Sequence, residues 1–344
     1  MADLIGHGPL LNELKRLALS AEPPHAILLD GPESTGRTLL ARCYAQLLNC
    51  LERENRPATE LPCGECRPCR LIHEQKHADV IDLGIGDTLC HPRSGDSHDH
   101  DRARDIRICQ VRGLIDLVSR YPLEARTRVI TIDPAESMRP EAQNSLLKTL
   151  EEPPPHTALI LLTSAPQDLL DTVLSRCRRL EVRPVPLSVV EAALLARGIP
   201  PEIAAEAAGQ ANGRPGLAIQ LAEQPSLLED RARLLERFAE VAAGGLKDRF
   251  AYADRLADRW RSDPSGVRKE LATWDHFWER DLRIATEAGD RDAALAAANA
   301  LKAIATCRDN LTANVIARAA TELMVLSFPR RTLAEARTEE AVHA

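Results

Sequence analysis

Aromatic residues are scarce in this 344-residue sequence: 3% in all, with only three tryptophans and three tyrosines. Alanine and leucine abound instead, which favours helix over sheet. No apolar run approaches the ~18 residues that a membrane-spanning helix needs. The first twenty residues, MADLIGHGPLLNELKRLALS, are interrupted by Asp3, Glu13, Lys15 and Arg16, so no secretory signal is expected. Positive charge is not in excess either, the formal net charge being −7. A protein that held DNA alone would more often be basic, because phosphate neutralisation supplies most non-specific affinity. Any DNA contact is therefore expected to be local or shared with partners. Nine cysteines without a secretory signal point to a reducing cytoplasm. There, clustered cysteines serve as metal ligands more readily than as disulfides.

What is present suffices for two or three domains with a sizeable core. Short apolar runs at AILLD (26–30), VIDL (80–83), RVITID (128–133), ALILLTS (158–164) and RRLEV (178–182) read as strands. Between them lie helical patterns. Leu39, Leu40, Cys43, Tyr44, Leu47 and Leu48 recur at helical spacing. IRICQVRGLIDLVSRYP runs to Pro122, and ESMRPEAQNSLLKTLEE stops at Pro153-Pro154-Pro155. Strands alternating with helices predict an α/β domain whose mostly parallel sheet is covered on both faces. Residues 84–105 carry almost no apolar side chains and are expected to form a mobile loop. From Pro184 onward strand-like runs nearly vanish and Ala-rich helices dominate. The expected division is an α/β domain (1–183), a small helical domain (184–222), a larger helical domain (223–330) and a polar tail (331–344).

The first strand runs into GPESTGRT (31–38), close to the phosphate-loop pattern G-x-x-x-x-G-K-[ST]. In such a loop, backbone N–H groups and a helix N-terminus cradle phosphates, a lysine adds a point charge, and a Ser/Thr hydroxyl ligates Mg²⁺. Gly31, Gly36 and Thr38 keep their places, but the lysine position holds Arg37, a bulky planar fork that fits such a pocket poorly. The strand 128–133 ends in Asp133, where an ATPase organises Mg²⁺. The next position, usually a water-activating glutamate, holds Pro134, which cannot act as a base. Glu136 reads as a solvated glutamate at a helix start, favoured there by the macrodipole. Both departures predict weak or absent hydrolysis. Whether this site, Gly31, Gly36, Arg37, Thr38 and Asp133, still holds ATP and magnesium stays open at this stage.

Cys63, Cys66 and Cys69 follow one another at two-residue spacing, and Cys50, at the end of the helix after the loop, is the natural fourth ligand. His73 and Cys43 are alternatives for that position. Four thiolates suit a closed, tetrahedral, structural zinc site within an insertion at about 50–77. A second group, Cys90, His91, His98 and His100, reads as part of a solvated loop.

LIGHGPLLNEL, HAILLDGP, the cysteine insertion, NSLLKTLEEPPPHT (144–157) and LLTSAPQDLLDTVLSRCRRL (161–180) together resemble the bacterial clamp-loader family of AAA+ proteins, part of the DNA polymerase III machinery. CRDNLTANVIARAATELMVLSF (307–328) is similar to the last helices of that family's C-terminal collar. The resemblance implies an AAA+ P-loop domain, a helical lid and an all-α collar. It implies hetero-oligomeric partners: the tau/gamma motor subunits, the delta subunit and, through the assembled complex, the sliding clamp and primer-template DNA, with no membrane. It gives Arg176, in Ser-Arg-Cys, the role of an arginine finger reaching a neighbour's ATP. The family holds ATP-hydrolysing motors and a related chain type that commonly lacks their catalytic groups. The second type fits better. Pro134 has replaced the base, and Gly216 stands where a motor's lid helix carries a sensor arginine, Arg214 lying in another register. The sequence also lacks the long extension of tau. A divergent motor is the rival reading. An independent zinc-dependent DNA-binding protein is a third, opposed by the net acidity.

Overall fold

The computed structural model of the chain describes residues 4–90, 103, 105–313 and 315–329. The expected tail 331–344, most of the expected loop 84–105, and His91, His98 and His100 lie outside the described residues. The chain divides into two compact units, Met1–Ala222 and Glu223–Ala344.

In the first unit the elements are α1 (Gly8–Ala18), β1 (Ala26–Asp30), α2 (Arg37–Asn49), α3 (Arg67–His73), β2 (Val80–Leu83), α4 (Ile108–Val118), β3 (Arg128–Ile132), α5 (Pro140–Glu151), β4 (Thr157–Thr163), α6 (Asp171–Leu174), β5 (Arg178–Glu181), α7 (Leu187–Ala196), α8 (Pro201–Ala211) and α9 (Pro215–Glu223). The five strands form one parallel sheet in the order β2-β3-β4-β1-β5. Every residue of β1, β3 and β4 is buried. Successive side chains of a strand alternate between faces. Ile27, Leu29, Ile160 and Leu162 thus join Leu14 of α1 and Leu40, Tyr44 and Leu47 of α2 in one core. Leu28, Ile130, Ile132, Leu159 and Leu161 join Leu114 of α4 and Leu146 and Leu150 of α5 in the other. β1 and β4 pair in register from Ala26–Leu159 to Asp30–Thr163, so the two central strands end side by side.

Two local expectations change. The helix read from 136 onward begins at Pro140, and residues 135–137 form a separate 3₁₀ turn. Proline lacks the N–H to continue a helix and disfavours helical backbone at Arg139 before it, which is extended. The described start of the expected loop 84–105 is anchored: Gln110, itself buried, donates its side-chain amide to the carbonyls of Gly84 (3.2 Å) and Asp87 (3.1 Å).

The second unit is built from α10 (Pro225–Ala243), α11 (Leu246–Ser262), α12 (Pro264–Ala288), α13 (Arg291–Thr312) and α14 (Ala317–Leu326). Six of the chain's few aromatic residues collect in its core: Phe238, Tyr252, Trp274, Phe277, Trp278 and Phe328. They supply the bulk that the surrounding alanines lack. Phe238 stacks on Trp274 with ring centroids 3.9 Å apart. The indole N–H of Trp274 donates to the Tyr252 hydroxyl, which donates to Glu270, and Arg259 closes the chain on the other carboxylate oxygen. Among the described residues no helix is long and apolar enough to cross a membrane.

One buried ion pair ties the strand starts of the α/β unit together. Asp79, before β2, accepts hydrogen bonds from the N–H groups of Leu123, Glu124 and Ala125 and from the Arg128 guanidinium. Arg128 also donates to the carbonyls of Leu117, Arg120 and Tyr121. Burial would raise the Asp79 carboxyl. The three N–H groups and Arg128 overcome that effect and hold it at about 2. Because the folded-state value lies below the ordinary one, the stabilisation is present above about pH 4 and is lost as the pH falls through about 2. Asp79→Ala leaves a buried guanidinium without its countercharge and is expected to cost about 3–5 kcal/mol in urea unfolding at neutral pH. Arg128→Met is expected to cost less, because three N–H groups still hold the carboxylate.

Candidate functional site

The phosphate-type loop leaves the sheet at the C-terminal end of β1. Asp30, at that end, accepts from Arg179 of β5. The Gly31 N–H donates to Thr163 (3.1 Å), and a Cβ at position 31 would lie 2.1 Å from the Val182 carbonyl. Gly36 has φ +107°, a left-handed conformation that glycine adopts without a Cβ penalty, and caps α2. His7 Nε2 bonds the Thr35 carbonyl at 2.7 Å. Among the described residues no acceptor meets the N–H groups of Ser34, Thr35, Gly36, Arg37 and Thr38, which gather at the N-terminus of α2. A helix N-terminus with free N–H groups suits an anion.

A cavity of about 460 Å³ opens on this loop, lined by Arg37, Thr38, Asp133 and Pro134 and, on its apolar side, by Leu4, Ile5, Pro215 and Ile219. Arg37 is 7% exposed, and its buried Nη1 has no hydrogen-bond partner among the described residues. The Thr38 hydroxyl donates to Asp133 Oδ2 at 3.3 Å. Burial pushes the Asp133 carboxyl up, against the opposing Arg37 charge and Thr38 hydroxyl. The structure thus places Gly36, Arg37, Thr38 and Asp133 around one cavity, with Gly31 at the strand end behind them. Pro134 occupies the wall beside Asp133. Glu136 does not line the cavity; it lies in the first turn of the 3₁₀ helix 135–137, as a helix-start acid, but is part-buried rather than solvated. Its Oε1 accepts from the N–H (3.0 Å) and hydroxyl (2.7 Å) of Ser164, just past β4, because the chain turns back towards the sheet before Pro140. Across the cavity the Gly216 N–H donates to the Ser34 carbonyl at 2.9 Å, and a Cβ at 216 would lie 3.0 Å from that oxygen. Arg214 is buried with Nε on the Ala211 carbonyl and does not line the cavity. Gly216 thus packs on the loop, a contact that the sequence shows only as a glycine where an arginine was expected.

Cys50 caps the far end of α2, and Cys63, Cys66 and Cys69 surround the start of α3. Their four Sγ atoms lie within 4.8 Å of one another, with Cys63 and Cys69 at 4.0 Å. A tetrahedral ion with ~2.3 Å metal–sulfur bonds separates its sulfurs by about 3.8 Å, so the donor set fits one. His73 is exposed and Cys43 buried in α2, and neither belongs to the cluster. Burial raises the Cys50 and Cys69 thiols. Burial acts the same way on Cys63, but the N–H groups of Cys66 and Glu65 outweigh it and bring that thiol to about 7. A divalent cation would let all four ionise together. The Gln46 amide on the Cys69 carbonyl (2.7 Å) and Lys15 Nζ on the Thr59 carbonyl (3.1 Å) fasten the insertion to α2 and α1.

Arg176 lies just past α6, away from the cavity lining. Its Nε (2.9 Å) and Nη2 (2.5 Å) donate to Glu151 Oε1, and its Nη1 donates to the Thr172 carbonyl (2.9 Å) and the Ser175 hydroxyl (3.3 Å). The side chain remains one-third exposed.

The family model described as DNA polymerase III, delta subunit, matches residues 6–186. A DNA polymerase III subunit delta-prime from Pseudomonas aeruginosa is 34% identical over 247 residues, 71% of this chain and 68% of that protein. This chain belongs to the delta-prime family of DNA polymerase III subunits. The delta-prime subunit of Bacillus subtilis is 31% identical over 67% of this chain and 62% of its own length. The tau/gamma subunit of Haemophilus influenzae is 31% identical over 53% of this chain but only 23% of its own length. The two delta-prime subunits thus match over a larger share of this chain, and of their own length, than the tau/gamma subunit does.

In a delta-prime chain with this cluster, elemental analysis of the purified protein is expected to find one divalent ion per chain. Cys63→Ser is expected to remove it and to lower the melting temperature by several degrees, read by calorimetry with and without a chelator.

Proposed function

We propose that this chain is the non-hydrolysing, delta-prime-type member of a clamp-loader ring and that Arg176 acts as an arginine finger on the ATP of a neighbouring tau/gamma motor. The observation that carries the reading is the position of Arg176. It stands outside its own chain's cavity, part-exposed, on the short segment between α6 and the edge strand β5. A guanidinium there cannot serve its own phosphate loop but is available to a second chain, where it would offset charge on the transferring phosphoryl group. The delta subunit, the sliding clamp and primer-template DNA would be met through the assembled cytoplasmic complex.

In this reading residues 184–222 form a lid and 223–330 a collar, and the four cysteines hold structural zinc. Zinc suits a closed set of four thiolates and, having no open position, supplies no chemistry of its own there. The chain's own loop would bind nucleotide without turning it over, or serve as framework. Retention of Thr38 beside Asp133 favours binding, while Pro134 removes the group that would activate water.

The test is the clamp- and primed-DNA-stimulated ATPase of this chain mixed with its motor and delta subunits. Arg176→Ala is expected to lower the stimulated rate at least about tenfold with the complex intact by gel filtration. An unchanged rate contradicts the proposal.

A further inference from the structure

The side chain of Arg176 is held at both ends of its guanidinium. Glu151 Oε1 takes Nε–H and one Nη2–H, and the Thr172 carbonyl and Ser175 hydroxyl take the Nη1 hydrogens. Of the five N–H donors of a guanidinium, this leaves one on Nη2 uncommitted among the described residues. Glu151 is the last residue of α5, and the same helix also fixes α6 from its other end. The buried Gln143 donates to the carbonyls of Met138 (3.0 Å) and Asp168 (3.3 Å) and accepts the N–H of Leu170 (2.8 Å), directly before α6. One helix therefore sets both the backbone that carries Arg176 and the direction of its side chain.

We propose that Glu151 is a positioning residue for Arg176, fixing the guanidinium so that its uncommitted edge is presented to a phosphoryl oxygen of the adjacent subunit. The inference rests on the finger reading above. An arginine left free would sample many rotamers and would have to be ordered as the transition state forms. An arginine already held by a carboxylate is ordered beforehand. The pair is half-exposed and contributes little to folding, so its effect belongs on turnover and not on stability.

The experiment is a double-mutant cycle in the reconstituted, DNA- and clamp-stimulated ATPase, with thermal melts of each variant. Glu151→Ala is expected to lower kcat about three- to fivefold, to leave KM for ATP and the melting temperature unchanged, and to have no further effect when Arg176→Ala is already present. Glu151→Gln retains an oxygen that accepts the same bonds and is expected to keep more than half of the activity. An unchanged kcat in Glu151→Ala overturns the inference while leaving the finger reading intact. An equal loss with and without Arg176 also overturns it, because Glu151 then acts by another route. An Arg176→Ala variant of full activity overturns both.

Discussion

Backbone has to pass very close to backbone at the C-terminal edge of the sheet, and the rest of the site follows from that closeness. At Gly31 the chain runs against the Val182 carbonyl where no side chain fits. At Gly36 it turns through a left-handed conformation into α2. At Gly216 the first turn of α9 rests on Ser34. These three glycines let β1, β5, α2 and α9 converge on one loop that lines the cavity. The parallel register of β1 with β4 brings Thr163 to Gly31, and that of β3 with β4 brings the strand before Asp133 in beside them. The framework of a phosphate site is therefore a consequence of strand order and of three positions without a Cβ.

Framework and chemistry separate at this site. Arg37 still supplies a buried positive charge next to Asp133, and that charge together with the Thr38 hydroxyl opposes the rise that burial imposes on the carboxyl. A cation and a carboxylate facing one cavity are suited to hold an anion with its counter-ion. Activating a water requires a base, and the wall beside Asp133 is proline. Glu136, the nearest acid in sequence, is turned onto Ser164 instead. The contact of Gly216 with Ser34 is close as well, because a Cβ at that position would lie 3.0 Å from the Ser34 carbonyl oxygen and the loop would have to give way slightly. Arg176, by contrast, has no role in its own cavity and stands on the edge of the unit.

Features set by periodicity or short spacing were legible in the sequence. AILLD and RVITI are strands because mainly apolar runs of that length are buried on both faces of a parallel sheet, and the shorter VIDL forms the edge, with Asp82 exposed. The three cysteines at two-residue spacing, with Cys50 ending the preceding helix, sit within reach of one ion because α3 begins between them. What stayed hidden depends on residues far apart in the chain. Asp79 and Arg128 are separated by 49 positions and look like ordinary strand-start polar residues until the sheet brings them together. The bond between Gly216 and Ser34 joins α9 to the loop and leaves no trace in either segment. The six clustered aromatics of the helical unit are spread from Phe238 to Phe328, and only the packing of α10 to α14 unites them. The break before α5 was within reach of sequence reasoning, since Pro140 carried the signal that the helical periodicity around it masked.

The proposed function is a division of labour, in which this chain retains the form of a nucleotide site and would act, through Arg176, only on a neighbour's ATP. The most direct measurement is ATP turnover by the purified chain alone, under single-turnover conditions with magnesium, wild type beside Asp133→Ala. The account predicts no turnover above a protein-free control for either protein. Turnover by the wild type that Asp133→Ala abolishes would contradict it and would make this chain a motor in its own right.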